Sequence, residues 1–282
     1  MKASIYAFAD EAGKPLENQI AAMKRNGLQG LEIRGVDGEN VADISLEKAR
    51  KIRKQMDDSG LVTWSVGSPI GKVWLDEEEN AHLDKLRHTL QIADVLGAKR
   101  LRLFSFYMPK GEDPAQYRQQ VIHRLGRMLE LAQGSGVALL HENEKGIYGD
   151  TAERCLELYK ALPELKGIFD PANFVQCGED TLRCWEMLKA HTCYLHIKDA
   201  MPDGCVVPAG KGAGNVAYII KDYLARGGSA LTLEPHLRTF EGLKKLEQKG
   251  NLSEIGKYYS YPTADAAFDA ACLALKDILE EK

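Results

Sequence analysis

The strongest constraint on this chain is an alternation: eight short apolar runs, most of them rich in β-branched or aromatic residues, are separated by stretches of helical periodicity. The runs are SIYAF (4–8), GLEIR (30–34), LVTWSVG (61–67), RLRLFSF (100–106), VALLHE (137–142), KGIFD (166–170), CYLHI (193–197) and ALTLE (230–234). Brief runs of this kind, set between helices, suit parallel strands covered on both faces. The intervening stretches repeat apolar residues at helical spacing, as in Leu83, Leu86, Leu90 and Ala93. Helix starts are expected at Ser45, at Asp113 with Pro114, at Asp150 paired with Glu153, at Asp180 and at Asn215; Gly27, Gly60 and Gly97 mark stops. The pattern predicts an α/β fold, a closed (β/α)8 TIM barrel. An open doubly wound sheet would want a glycine-rich first βα turn, and none is present. Residues 1–282 read as one domain, with the barrel at about 1–235 and a C-terminal helical extension at about 236–282.

Charge and composition exclude several functions. The net charge is −4, with both signs interspersed, so no basic stripe marks a nucleic-acid partner. The first apolar run meets Asp10 and Glu11 at once, which argues against an export signal, and no apolar run approaches the roughly eighteen residues of a membrane span. Six cysteines without a CxxC pair read as reduced structural thiols, consistent with a cytoplasmic protein. A homo-oligomer is left open. The AGKGAG segment (209–214) reads as a flexible loop of the site, because no P-loop lysine with Ser/Thr follows it.

In such a barrel the chemistry gathers at the carboxyl ends of the strands. Four successive strands end in His141-Glu142-Asn143-Glu144, Asp170-Pro171-Ala172-Asn173, His196-Ile197-Lys198-Asp199 and Glu234-Pro235-His236. Any one polar residue there could cap a helix or join an ion pair. Three carboxylates and an imidazole converging from adjacent strands would instead repel without a compensating cation. Glu142, Asp170, His196 and Glu234 are therefore candidate ligands of one divalent metal ion. The mostly oxygen donor set suits Mn2+ or Mg2+, with Co2+ and Zn2+ as alternatives. A structural zinc site would show paired Cys or His spacing, which is absent.

The stretches FADE (8–11), LEIRG (31–35), GSPIGK (67–72), LLHENEKGIYGD (139–150), FDPANFVQCGED (169–180), YLHIKDA (194–200) and LTLEPHL (231–237) resemble the xylose isomerase-like TIM barrels. That superfamily includes sugar isomerases, ketose 3-epimerases and apurinic endonucleases. The resemblance implies the same four ligands, and it implies that Glu142 and Glu234 act as the acid/base pair. Two departures are visible. Asn173 stands where ketose 3-epimerases carry the histidine of Asp-x-x-His. The extra histidines of the endonucleases are missing, with Ser68 and Phe104-Ser105-Phe106 at the ends of strands three and four. The expectation is a metal-dependent isomerase or epimerase of carbohydrate metabolism, acting on a sugar or sugar phosphate by proton transfer beside a carbonyl through an enediolate. A lyase or dehydratase on the same scaffold is the alternative, as is a non-catalytic sugar- or metal-binding barrel. Arg34, Lys72, Asn173, Lys198 and His236 are candidate substrate-binding residues; Arg34, Lys72 and Lys198 could each equally be a solvated or ion-paired surface base, and His236 could face the pocket or only support it. His141 should face away from Glu142 and lie behind the barrel.

Overall fold

The computed structural model describes residues 3–109, 111–240 and 254–281. The eight runs form β1 (Ser4–Ala7), β2 (Gly30–Ile33), β3 (Val62–Val66), β4 (Arg100–Leu103), β5 (Ala138–Glu142), β6 (Lys166–Phe169), β7 (Thr192–Ile197) and β8 (Ala230–Leu233). They close in the order β1-β8-β7-β6-β5-β4-β3-β2. The closing seam pairs Ser4 through Ala7 of β1, in parallel, with Ala230 through Leu233 of β8. Closure removes both sheet edges, whose unpaired backbone groups would otherwise invite aggregation.

Around the barrel lie α1 (Leu16–Arg25), α2 (Leu46–Asp58), α3 (Glu79–Leu96), α4 (Arg118–Ala132), α5 (Ala152–Ala161), the short α6 (Pro171–Gln176), α7 (Thr181–Leu188) and α8 (Val216–Ala225). Each buries its apolar stripe, as α3 does with Leu83, Leu86, Leu90 and Ala93. Ser45 Oγ caps α2 by accepting from Lys48 N at 3.1 Å, and Asp180 Oδ1 caps α7 by accepting from Leu182 N at 3.0 Å. Two starts differ from expectation. Thr151, not Asp150, caps α5, because Asp150 is drawn into an ion pair with Arg154. Asn215 opens α8 at φ 54 without capping it; its amide donates instead to Thr181 Oγ1 at 2.8 Å. Two hairpins supplement the barrel, Gly35–Val36 with Glu39–Asn40 and Asp199–Ala200 with Val206–Val207.

Of the C-terminal extension, residues 241–253 and 282 lie outside the described residues. Its final helix, α9 (Ala264–Glu280), buries Phe268, Ala271, Cys272 and Leu275. Arg25 at the end of α1 pairs with Asp265 and Asp269 of α9. Among the described residues no helix is long and apolar enough to cross a membrane. All six cysteines are free thiols: Cys155, Cys184, Cys205 and Cys272 are buried, and Cys193 is exposed.

The barrel interior is divided by chemistry. Tyr6, Leu140, Ile168, Tyr194 and Ala230 pack with Trp64 into an apolar plug, where Trp64 stacks on Tyr6 at 4.3 Å with 9° between the rings. The β2–β3 register shifts between Leu31, opposite Thr63, and Glu32, opposite Ser65, which makes Trp64 the extra residue. Such a bulge re-aims side chains. Here Ser65 Oγ comes to 3.3 Å from Glu32 Oε1, at the boundary between the plug and the polar strand ends.

Candidate metal centre

Four adjacent strands deliver the four polar groups. Glu142 is the last residue of β5, Asp170 follows β6, His196 sits near the end of β7 and Glu234 follows β8. One ligating atom from each lies within 4.8 Å of all the others. Their exposures are 1%, 0%, 0% and 3%, so water cannot screen three carboxylates held this close.

Asp170 is positioned from both sides. Its Oδ1 accepts from Asn173 N at 3.1 Å as the N-cap of α6. Its backbone N–H donates to Asn143 Oδ1, and its carbonyl accepts from Asn143 Nδ2, both at 2.9 Å. The Asn173 amide donates to the Asn143 carbonyl at 2.9 Å, so it braces the Asp170 segment. That leaves Asp170 Oδ2, a buried oxygen with no well-aligned hydrogen bond although Lys198 Nζ is 2.9 Å away.

His196 is held by two carboxylates, with Nδ1 2.8 Å from Glu142 Oε1 and Nε2 3.1 Å from Glu32 Oε2. Burial alone would depress its pKa, but the two carboxylates outweigh that and raise it to about 10. Glu32 also accepts from Tyr194 OH at 2.8 Å. Glu142 Oε2 accepts from Arg102 Nη1 at 2.9 Å, and Glu234 Oε1 accepts from Arg34 Nη1 at 3.0 Å. Glu234 Oε2 lies 2.9 Å from Lys198 Nζ. Burial would raise the Glu234 pKa, but Lys198 and its other basic neighbours hold it well below the usual carboxylate range. The Phe8 ring centroid lies 4.5 Å from the Arg34 guanidinium and 4.8 Å from that of Arg102.

Among the candidate substrate-binding residues, Arg34 and Lys198 touch the cluster directly. Arg34 is anchored to Asp10 at 2.9 Å and to Glu11 at 3.0 Å, and Glu11 is pushed up to about 8, mainly by burial. His236 Nε2 is 3.7 Å from Glu234 Oε1, and its buried Nδ1 has no hydrogen-bond partner. Lys72 is set on the Phe104 ring and paired with Glu144 at 2.8 Å. Glu144 is held down to about 2, its burial outweighed by Lys72, Lys198 and Lys145. His141 lies behind the strands as expected, 3.2 Å from Tyr159 OH and 3.0 Å from Ser105 Oγ.

The glycine segment is fastened, contrary to the flexible loop expected. Asp199 Oδ2 accepts from Gly210 N and Gly212 N, each at 2.9 Å, and Oδ1 accepts from Gly214 N at 2.8 Å. A Cβ on Gly212 would lie 2.4 Å from Ala200 O, so only glycine permits this approach.

Glu32 and Arg102 were not among the sequence candidates. Their signal was a charge in the middle of a strand covered on both faces, where only an inward, paired position is tolerable.

The donor chemistry and the unsatisfied Asp170 Oδ2 fit a divalent cation. Fold and site thus define a (β/α)8 barrel with a buried carboxylate–imidazole cluster at the carboxyl ends of β5 to β8. The profile of the xylose isomerase-like TIM barrel family matches residues 20–249, and the chain belongs to that family. No curated protein sequence matches it. Among solved structures, the probable 3-DHS dehydratase AsbF of Bacillus anthracis is similar at TM-score 0.74 and 17% identity, over 100% of both chains. An L-ribulose 3-epimerase is similar at TM-score 0.74 and 18% identity, over 99% of this chain and 95% of that one. IOLI protein with a bound zinc atom gives TM-score 0.73 and 16% identity, over 99% and 98%. At these identities the likeness is one of fold.

Proposed function

We propose that this barrel is a divalent-metal-dependent enzyme that isomerises or epimerises a small sugar or sugar phosphate. The carrying observation is the convergence of Glu142, Asp170, His196 and Glu234 within 4.8 Å, buried at the strand ends where barrel chemistry is done. A bound ion, Mn2+ or Mg2+ by donor type, would polarise a substrate carbonyl and ease removal of the neighbouring proton. Glu142 and Glu234 are the proposed base and acid; Arg102 holds Glu142 at 2.9 Å and Arg34 holds Glu234 at 3.0 Å. Phe8 and Phe104 supply apolar wall, and Arg34, Lys72, Asn173, Lys198 and His236 are the proposed contacts to substrate oxygens. Zinc in one similar structure and the naming of another as an epimerase support this reading.

A dehydratase is the second reading. Arg102 and Lys198, both buried beside the cluster, would suit the carboxylate of a hydroxylated acid, and one similar structure is named as a probable dehydratase. The test is turnover in D2O with Mn2+ in excess. Glu142→Gln and Glu234→Gln should each retain the ion and lose at least ~10²-fold in turnover, the lower range for a lost general base. Deuterium entering beside the carbonyl of recovered ketose marks the isomerase or epimerase; loss of water from a hydroxy acid marks the dehydratase. Normal turnover in both variants with the ion bound would refute the two-glutamate assignment.

A further inference from the structure

We propose that Lys198 is a built-in occupant of the cation site, holding the carboxylate oxygens that a divalent ion needs and leaving them when the ion binds. The inference rests on the metal reading above and concerns how the site is filled before loading.

It follows by elimination among the oxygens. Asp170 Oδ1 is committed to capping α6 through Asn173 N. Glu234 Oε1 is committed to Arg34 at 3.0 Å, with Arg102 at 3.5 Å. Glu142 Oε2 is committed to Arg102 and its Oε1 faces His196 Nδ1 at 2.8 Å, so the carboxylate oxygens of the site held by neither an arginine, a histidine nor a helix cap are Asp170 Oδ2 and Glu234 Oε2. Lys198 Nζ lies 2.9 Å from both. The two carboxylates come from different strands, and the ammonium bridges them as a small hard cation would. It is a point charge on a flexible stem, with none of the planar geometry that locks Arg34 and Arg102 in place.

The ammonium and a divalent ion therefore claim the same two oxygens. Two cations at that range repel strongly in a site buried from water. Lys198 can yield because its stem is flexible, and the nearby Glu144 carboxylate, itself paired with Lys72 at 2.8 Å, still attracts the displaced ammonium. Arg34 and Arg102 hold the opposite oxygens and need not move. The protein thus neutralises its own site before loading, and ion affinity is set against the grip of Lys198.

Two measurements test this. In the first, wild-type protein is acylated with an amine-reactive reagent, with and without saturating Mn2+, and modification at Lys198 is read by peptide mass spectrometry. Lys198 should be protected without the ion and modified at least severalfold faster with it. In the second, Mn2+ binding to wild type and Lys198→Met is titrated calorimetrically. The variant should bind about tenfold tighter, equivalent to ~1.4 kcal/mol. Removing the charge alone could also tighten binding, so the labelling result decides for displacement, and it stands even if Lys198→Met fails to fold. Equal protection of Lys198 in a protein shown to bind Mn2+ overturns the inference and leaves the metal site intact. No Mn2+ binding by wild type overturns the metal reading and this inference together.

Discussion

Glu32 Oε2 lies 3.1 Å from His196 Nε2, and neither side chain reaches solvent. The contact fixes the ring. With Nε2–H directed at Glu32, Nδ1 is the nitrogen presented to Glu142 and to any arriving ion. Partners of this sort orient a ligating histidine and raise its basicity.

Glu32→Ala is therefore expected to weaken divalent-ion binding by about 10–100-fold while the barrel stays folded. Glu32→Gln, which still accepts a hydrogen bond, should recover part of the loss. Calorimetric titration with circular dichroism checks both, and an unchanged affinity in Glu32→Ala would remove Glu32 from the site.

His196→Ala and Asp170→Asn should each abolish tight binding of one divalent ion without unfolding the chain. Asparagine at 170 keeps the α6 cap, whereas Asp170→Ala should also cost about 1 kcal/mol of stability for the lost cap. Titration beside thermal melting separates the two losses. Wild-type stoichiometry in either ligand variant would defeat the assignment.

Much of this was legible in the chain. Glu142, Asp170, His196 and Glu234 could be found because each stands at or next to the end of an apolar run, and barrel topology makes those runs neighbours. Glu32 and Arg102 were equally visible as charges inside GLEIR and RLRLF. Their meaning depended on distant partners: Glu32 meets His196 across 164 residues of chain. Local competition hid the rest. Asp150 fits a cap by spacing, yet Arg154 one turn later takes its carboxylate, and Thr151 does the capping. The 209–214 glycines look loose in sequence because nothing local reveals Asp199 among their amides.

His141 offers a test by pH. Burial lowers its pKa from 6.5 to about 3, so the folded chain keeps it neutral where the unfolded chain protonates it. Its contribution is complete above pH 6.5 and is lost as pH falls towards 3, at about 1.4 kcal/mol per unit. His141→Gln removes that titration and should flatten the stability profile between these limits. Denaturant melts at several pH values measure it; an unaltered slope would mean the ring ionises without penalty.

Asp199→Ala should release the glycine segment, since three of its amides lose their shared acceptor. Amide hydrogen exchange at Gly210, Gly212 and Gly214 is expected to rise by at least tenfold, with β7 and β8 protected as before. Persistent protection of those amides would show that other contacts hold the loop.

The seam between β1 and β8 carries a further consequence for assembly on the ribosome. Glu234 emerges last of the four candidate ligands, and its carboxylate is gripped by Arg34, 200 residues earlier. A nascent chain that stops before β8 has three ligands but no closed ring and no fourth donor. If the proposed ion binds there, tight capture should follow ring closure rather than template it, with uptake expected only once the last strand has docked.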